Sequence, residues 1–324
     1  MSKAIRIYEP GDIDAMRWEE FAVGEPGRGE ARVLHKAVGL NFVDVYQRSG
    51  LYKVPLPSGL GSEGAGVVDA VGQGVTLVKP GDRVAYYGGP LGSYSEVRNM
   101  PAERLILLPD AISFETGAAM MLKGLTVRSL LRAVHAVQPG DTILWHAAAG
   151  GVGLIACQWA KALGVTVIGT VGSETKAALA KAHGCEHVIN YARENFVERV
   201  KEITGGKGVP VVYDSVGKDT FLGSLDCLKP RGLMVSFGNA SGAVPPFDLA
   251  LLVQRGSLYL TRPSAAHYVA QRPDLEVAAK ELIDMVSSGK VKIDINQRYP
   301  LKDAGQAHLD LVARKTTGST ILIP

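Results

Sequence analysis

The sequence predicts an α/β protein: a compact, barrel-like β domain followed by a doubly wound parallel sheet of six strands. Three observations carry that reading. Short β-like runs broken by Gly, Pro and Asp dominate the first 120 residues. From about residue 125, strands alternate with helical stretches of about 10–15 residues, the pattern of a sheet covered on both faces. Between the first of these strands and its helix lies the glycine-rich turn "HAAAGGVG", residues 146–153.

The elements follow in order. "KAIRIYEPG", "GEARVLHKAVGLN", "GAGVVDAVGQGV" and "GDRVAYYGG" carry alternating or β-branched apolar residues and read as strands, with a helix around Asn41–Ser49. "DTILWHA" opens the second region as a strand, and "GGVGLIACQWAKALG" is a helix stopped by Gly164. "VTVIGTV" is the next strand, and "SETKAALAKAHG" a helix capped by Ser173 and ended by Gly184. "HVINY", "VPVVYDSV", "GLMVSFG" and "SLYLTR" complete six strands, with "ENFVERVKEITGG" and "KDTFLGSLDCLKPRG" as helices between them. The tail holds one helix, "DLEVAAKELIDMVSSGK", and short strands at "INQRYPL" and "STILIP". It does not extend the parallel pattern, so it is assigned back to the first domain. The expected division is 1–124, 125–265 and 266–324, with chemistry in a cleft between the domains.

Composition sets the limits. The 324 residues carry a net charge of +3, too slight to favour a nucleic-acid or membrane partner. Cys157, Cys185 and Cys227 are widely spaced, which argues against a disulfide framework and fits a reducing compartment. The N-terminus shows no signal-peptide pattern. The apolar stretch from Leu144 to Val171 is interrupted by Gln158, Lys161 and several glycines, and reads as strand–helix–strand rather than a membrane span. The expected setting is the cytoplasm.

Ala148–Gly153 matches G-x-G-x-x-G with alanine first, placed between a strand and an amphipathic helix. Gly150, Gly151, Val152 and Gly153 let backbone approach a pyrophosphate at a helix N-terminus. A protein selective for NAD carries a carboxylate at the end of the next strand. Here that strand ends in Thr170, Val171, Gly172 and Ser173, followed by Lys176. A small uncharged cup beside a cation favours a 2′-phosphate, hence NADPH. "HGCEH" (183–187) is the one tempting metal cluster, but the helix end at Gly184 gives its side chains no reason to converge.

These motifs resemble the medium-chain dehydrogenase/reductase superfamily and, within it, the quinone oxidoreductase/zeta-crystallin family. "GDTILWHAAAGGVGLIACQWAK" looks like that family's signature, and "LNFVDVYQRSGLY", "LGSEGAGVV", "KPGDRVAYY", "LKGLTV", "VVYDSVG" and "MVSFGNASG" extend the likeness along the chain. The resemblance implies a GroES-like β-barrel catalytic domain, a Rossmann domain and a homodimer. Zinc-dependent relatives place ligands where Asn41, Ser62 and Leu122 stand, so it also implies no metal. Asn41 and Tyr46 fall where relatives contact the nicotinamide half of the cofactor and the substrate, and Tyr52 where a tyrosine lines the quinone pocket. Thr126, Tyr191, Phe237, Gly238, Arg262 and Arg314 fall at further NADPH contacts.

With neither metal nor evident nucleophile, the implied catalysis rests on proximity: NADPH carries the hydride and the protein holds an electrophile over it. A quinone suits such a site because its carbonyls already accept electron density. Tyr46, Tyr52 and water are the available proton sources. The alternative within the same chemistry is reduction of the C=C bond of an enal or enone. The family also includes a lens structural protein and RNA-binding relatives, but this chain has no stripe of interleaved basic and aromatic residues.

Overall fold

The alternating run Glu30–Leu40 forms the longest strand of the chain and the spine of the first of two units. The computed structural model describes residues 1–324. One unit comprises Met1–Leu125, Val269–Ser287 and Ile293–Pro324, and the other Thr126–Tyr268 with Ser288–Lys292.

The first unit opens with β1 (Ser2–Ile7), β2 (Arg17–Phe21), β3 (Glu30–Leu40), β4 (Ser58–Gly59), β5 (Glu63–Val71), β6 (Arg83–Tyr87), β7 (Val97–Pro101) and β8 (Leu105–Leu107). β3 pairs antiparallel with both β5 and β7, and β6 joins β5 to β8. Val33, Val68, Val84, Tyr86, Met100 and Leu105 pack as one buried cluster. Helix α1 (Phe42–Arg48) follows β3 directly. A long helix, α2 (Phe114–Ser129), stands where the sequence shows no helical stripe. Ala118, Ala119, Met120, Met121, Leu125 and Val127 are buried around most of its circumference, which erases the amphipathic signal. A Cβ on Gly124 would come within 2.7 Å of Leu282 Cδ2, so the buried Leu282 side chain would have to shift to admit it.

The second unit runs β9 (Thr142–Trp145), α3 (Gly151–Ala162), β10 (Thr166–Val171), α4 (Glu174–Ala182), β11 (His187–Asn190), α5 (Phe196–Ile203) and β12 (Val209–Asp214). It continues through α6 (Phe221–Asp226), β13 (Leu228–Ser236), α7 (Ala250–Gln254), β14 (Tyr259–Thr261) and α8 (Ala265–Tyr268). Its six strands are parallel in the order β11-β10-β9-β12-β13-β14, the Rossmann order with its reversal between β9 and β12. The helix expected through residue 232 ends at Asp226, and β13 begins at Leu228. Pro230 cannot continue a helix, and Arg231 (φ 61°) donates its N–H to Gly256 O, so the segment enters the sheet through an irregularity in the β12–β13 register.

The tail supplies α9 (Arg272–Ser287), β15 (Ile295–Pro300), α10 (Ala304–Val312) and β16 (Ser319–Ile323). β16 pairs antiparallel with β3 and parallel with β15, completing the sheet of the first unit. α10 is a second helix that the sequence reading passes over; Ala304, Ala307 and Leu311 on its inner face pack with Ile5, Val38 and Leu322. No helix is long and apolar enough to cross a membrane.

Three buried titratable groups shape the pH response of the first unit. Asp44 Oδ2 accepts from Asn41 N–H and from Tyr94 O–H, each at 2.9 Å, while Oδ1 accepts nothing. Burial, aided by the nearby Glu63 carboxylate and opposed by these hydrogen bonds and by Lys123, pushes the Asp44 carboxyl up to about 7. Asp44 thus keeps its proton to about pH 7 when folded and loses it near 3.8 when unfolded, so its contribution is complete below pH 3.8 and lost as pH rises towards 7. Burial pushes His35 down to about 4 and His308 down to about 3, so their contributions are lost as pH falls from 6.5 through those values. Asp44→Asn imitates the protonated carboxyl permanently. Its stability advantage in urea unfolding is expected to grow between pH 4 and pH 7 and then level at roughly 4 kcal/mol, because unfolding costs the carboxyl about 1.4 kcal/mol for each tenfold change in its acidity. An advantage that does not vary with pH contradicts the assignment.

Candidate cofactor-binding and active site

In the second unit, β9 ends at Trp145 and the chain turns through His146–Gly150 into α3. Ala147 sits in the left-handed region at φ 56°. Gly153 has no room for a side chain, since a Cβ would lie 2.7 Å from Ala148 backbone carbons. The alanine at the first position of the motif is accommodated by its neighbour: a Cβ on Gly169 of β10 would meet Ala148 Cβ at 2.6 Å. Glycine on the strand thus makes room for alanine in the loop. Gly150 caps α3 in an extended conformation, and Gly151, Val152 and Gly153 form the first turn, whose N–H groups and dipole suit a phosphate.

A buried polar chain holds this turn, and the sequence reading missed it. Asp214 accepts from Val216 N–H (2.8 Å), Gly217 N–H (3.0 Å), Thr220 Oγ1 (2.7 Å) and Ser224 Oγ (2.9 Å). Ser224 donates to Asp214, so it accepts from His146 Nε2–H at 2.9 Å, which leaves Nδ1 to accept from Thr170 Oγ1 at 2.9 Å. Burial lowers the His146 pKa, against the opposing field of Asp214. His146 stands immediately before the alanines, but its partners are remote in sequence, so no local spacing announces them.

Past β10, Ser173 caps α4 by accepting from Lys176 N–H at 3.3 Å. Tyr191 follows β11, and a Cβ on Gly172 would come 2.6 Å from Tyr191 Oη. Gly172, Ser173, Lys176 and Tyr191 thus gather around the carboxyl end of β10. The carboxylates near this strand end are engaged elsewhere: Glu174 is turned to Asn190 Nδ2 (2.7 Å) and Arg193 (3.4 Å), and Glu194 accepts from Asn190 N–H (3.1 Å) and pairs with Arg199 (2.9 Å). Phe237 and Gly238 lie just beyond β13, and Arg262 Nη1 donates to Ser236 Oγ and to Gly238 O at 3.1 and 3.2 Å. Thr126 is on α2. His183, Cys185 and His187 do not form a metal cluster, nor does any other group of three His, Cys, Asp or Glu. Cys157 is a core residue, its thiol raised by a hydrogen bond with Cys185 and by burial.

In the first unit, Asn41 stands at the junction of β3 and α1, and Tyr46 on that helix meets Tyr52 edge-on at 5.2 Å between ring centroids. Tyr46 is buried and Tyr52 is 37% exposed, so this aromatic pair reaches the surface. Asn41 Nδ2 donates to Glu63 Oε2 at 2.8 Å. Ser62 and Leu122 carry no metal-binding chemistry. Arg314 is exposed, in the left-handed region (φ 59°) just past α10.

A GroES-like unit with a Rossmann unit and its glycine turn defines the medium-chain dehydrogenase/reductase architecture. Residues 27–110 match the family model described as alcohol dehydrogenase GroES-like domain, and 151–271 that described as zinc-binding dehydrogenase. The chain is 55% identical to a quinone oxidoreductase of Pseudomonas aeruginosa over the full length of both. It superposes with a TM-score of 0.98 on the quinone oxidoreductase of Escherichia coli complexed with NADPH, at 54% identity, covering 99% of this chain and 100% of that one. A 2-haloacrylate reductase of Burkholderia is 46% identical over 100% of this chain and 99% of that protein. The chain belongs to the quinone oxidoreductase family.

Proposed function

We propose that the protein is an NADPH-dependent quinone reductase that works without a metal. The observation that carries this reading is the uncharged cup of Gly172 and Ser173 at the end of β10, flanked by Lys176 and Tyr191, with Glu174 engaged elsewhere. On this reading residues 125–265 form the NADPH-binding domain, and 1–124 with 266–324 the catalytic one. Its setting is the cytoplasm, supported by three buried free cysteines.

The glycine turn and the start of α3 hold the pyrophosphate; Ser173, Lys176 and Tyr191 hold the 2′-phosphate, with Arg314. Thr126, Phe237, Gly238 and Arg262 serve the rest of the cofactor. When bound, NADPH supplies the hydride. Asn41, Tyr46 and Tyr52 position the quinone, whose ring takes up two electrons with that hydride and one proton from Tyr46, Tyr52 or water to give the quinol. The 2-haloacrylate reductase relative favours a second reading, hydride addition to a conjugated C=C bond. Rates of NADPH oxidation over a panel of quinones, 2-alkenals and enones decide between them. Turnover with quinones is expected to dominate, and turnover confined to C=C substrates selects the second reading.

A charge-assisted hydrogen bond contributes about 1.5–3 kcal/mol, so each firm phosphate contact is worth roughly 10- to 150-fold in cofactor preference. Lys176→Glu is expected to lower kcat/KM steeply for NADPH, to change it little for NADH, and to leave kcat at saturating NADPH largely intact. Equal losses with both cofactors would contradict the 2′-phosphate assignment.

The enzyme is proposed to be a homodimer. β14 closes the sheet and pairs with β13 alone, while Tyr259 is 62% exposed and Leu249 and Val253, at the cap and on the face of the preceding helix α7, are 69% and 71% exposed. A short apolar edge strand is protected by pairing with its copy across a two-fold axis. Light scattering at micromolar concentration is expected to give twice the chain mass; a monomer rules this out.

A further inference from the structure

Beneath Asn41 lies an ion pair that the proposed chemistry does not use. Glu63, fully buried at the start of β5, stands beside the end of β3 because the two strands run antiparallel. Gly39 makes the space for it, since a Cβ there would run into the carboxylate. Glu63 Oε1 accepts from the backbone N–H of Leu122 at 2.7 Å. Oε2 accepts from Asn41 Nδ2 at 2.8 Å and faces Lys123 Nζ at 3.6 Å. Lys123, itself 5% exposed, also donates to Leu40 O at 3.3 Å. Both carboxylate oxygens are thus committed as acceptors, one to a backbone donor and the other towards an ammonium.

That commitment decides the orientation of Asn41. An amide can turn either its oxygen or its nitrogen to a neighbour, and an acceptor-only partner admits the nitrogen alone. Lys123 enforces the acceptor role by keeping the carboxylate compensated in a site where an unpaired charge is costly. We propose that Glu63 and Lys123 are positioning residues that lock the Asn41 amide with Nδ2 inward, so that Oδ1 meets the nicotinamide half of the cofactor as a hydrogen-bond acceptor. The groups it recognises there are donors, carboxamide N–H or ribose hydroxyl. The inference rests on the proposed contact between Asn41 and the cofactor.

The lock is tested by exchanging amide and carboxylate in the full-length chain. In Glu63→Gln the new amide offers an N–H to Asn41, turning it over, and leaves Lys123 unpaired. NADPH binding, followed by cofactor fluorescence, and kcat/KM are expected to weaken about 10- to 150-fold, with a lowered melting temperature. E63Q/K123M removes the unpaired ammonium and is expected to recover the melting temperature but not NADPH affinity. N41D/E63Q restores an inward hydrogen bond, a carboxylate for Lys123 and an outward acceptor, and is expected to recover at least about tenfold of the loss. The proposal is overturned if E63Q binds NADPH within about threefold of the native chain. It is also overturned if E63Q/K123M recovers affinity with stability, or if a stably folded N41D/E63Q recovers neither affinity nor rate. A native chain that binds NADPH but reduces no quinone or enone speaks against the proposed activity, and the dissociation constants still decide the lock.

Discussion

The nucleotide unit depends on one close approach of backbone to backbone. The first turn of α3 lies so near the backbone of Ala147 and Ala148 that Gly153 can carry no side chain, and Ala147 itself sits at φ 56°. A sharper turn than most residues accept is what aims the N-terminus of α3 past the carboxyl edge of the sheet. Its demands spread sideways. Ala148 fits because Gly169 on the adjacent strand leaves it room, and His146 is fixed from both sides by Thr170 and Ser224. Asp214, at the end of β12, closes the arrangement by accepting four hydrogen bonds from the segment that leads into α6 and from α6 itself. The loop is therefore held by the two strands that flank β9 and not by its own sequence alone.

The first unit meets a different problem, the burial of titratable groups, of which Glu63 and Lys123 form an ion pair. Glu63 and Lys123, Asp44 with Tyr94 and His308, and His35 with Tyr86 all lie inside it. Each carries a desolvation cost, and a buried ion pair is often no more stabilising than apolar residues of the same volume. What such groups contribute is direction. Hydrogen bonds specify which atom of a neighbour points where, whereas apolar contacts specify only shape. Two of these groups reach α1 and its cap: Glu63 accepts from Asn41, and Tyr94 donates to Asp44.

Much of the architecture was legible because it repeats. Buried parallel strands, amphipathic helices and left-handed glycines such as Gly164 and Gly184 recur at the spacing of a βα unit, and the six strands follow from them. The reading failed where the pattern is uniform or too short. α2 is buried around most of its girth, so its period is invisible, and α10 is nine residues between two breaks. At Cys227–Gly232 the composition reads as the end of a helix, but Arg231 is held by Gly256, from far along the chain, and the segment belongs to the sheet.

The candidate site divides along the same line. Glycines 150, 151 and 153 and the absence of a carboxylate on β10 are local features, readable because phosphate binding by backbone needs small residues in sequence order. The groups that hold the site are not local. His146 reaches Ser224, 78 residues on; Tyr94 reaches His308, 214 residues on; Asn41 reaches Glu63 across a strand pair. A lone buried histidine or glutamate in a sequence gives no hint of its partner, and without the partner its protonation and direction are undefined. Asn41 illustrates the consequence. Sequence alone assigns the residue type to the position, but an asparagine is equally a donor and an acceptor. Its sign is set by Glu63, and the sign of Glu63 is maintained by Lys123, so the chemistry that Asn41 offers is a property of the folded trio rather than of the residue.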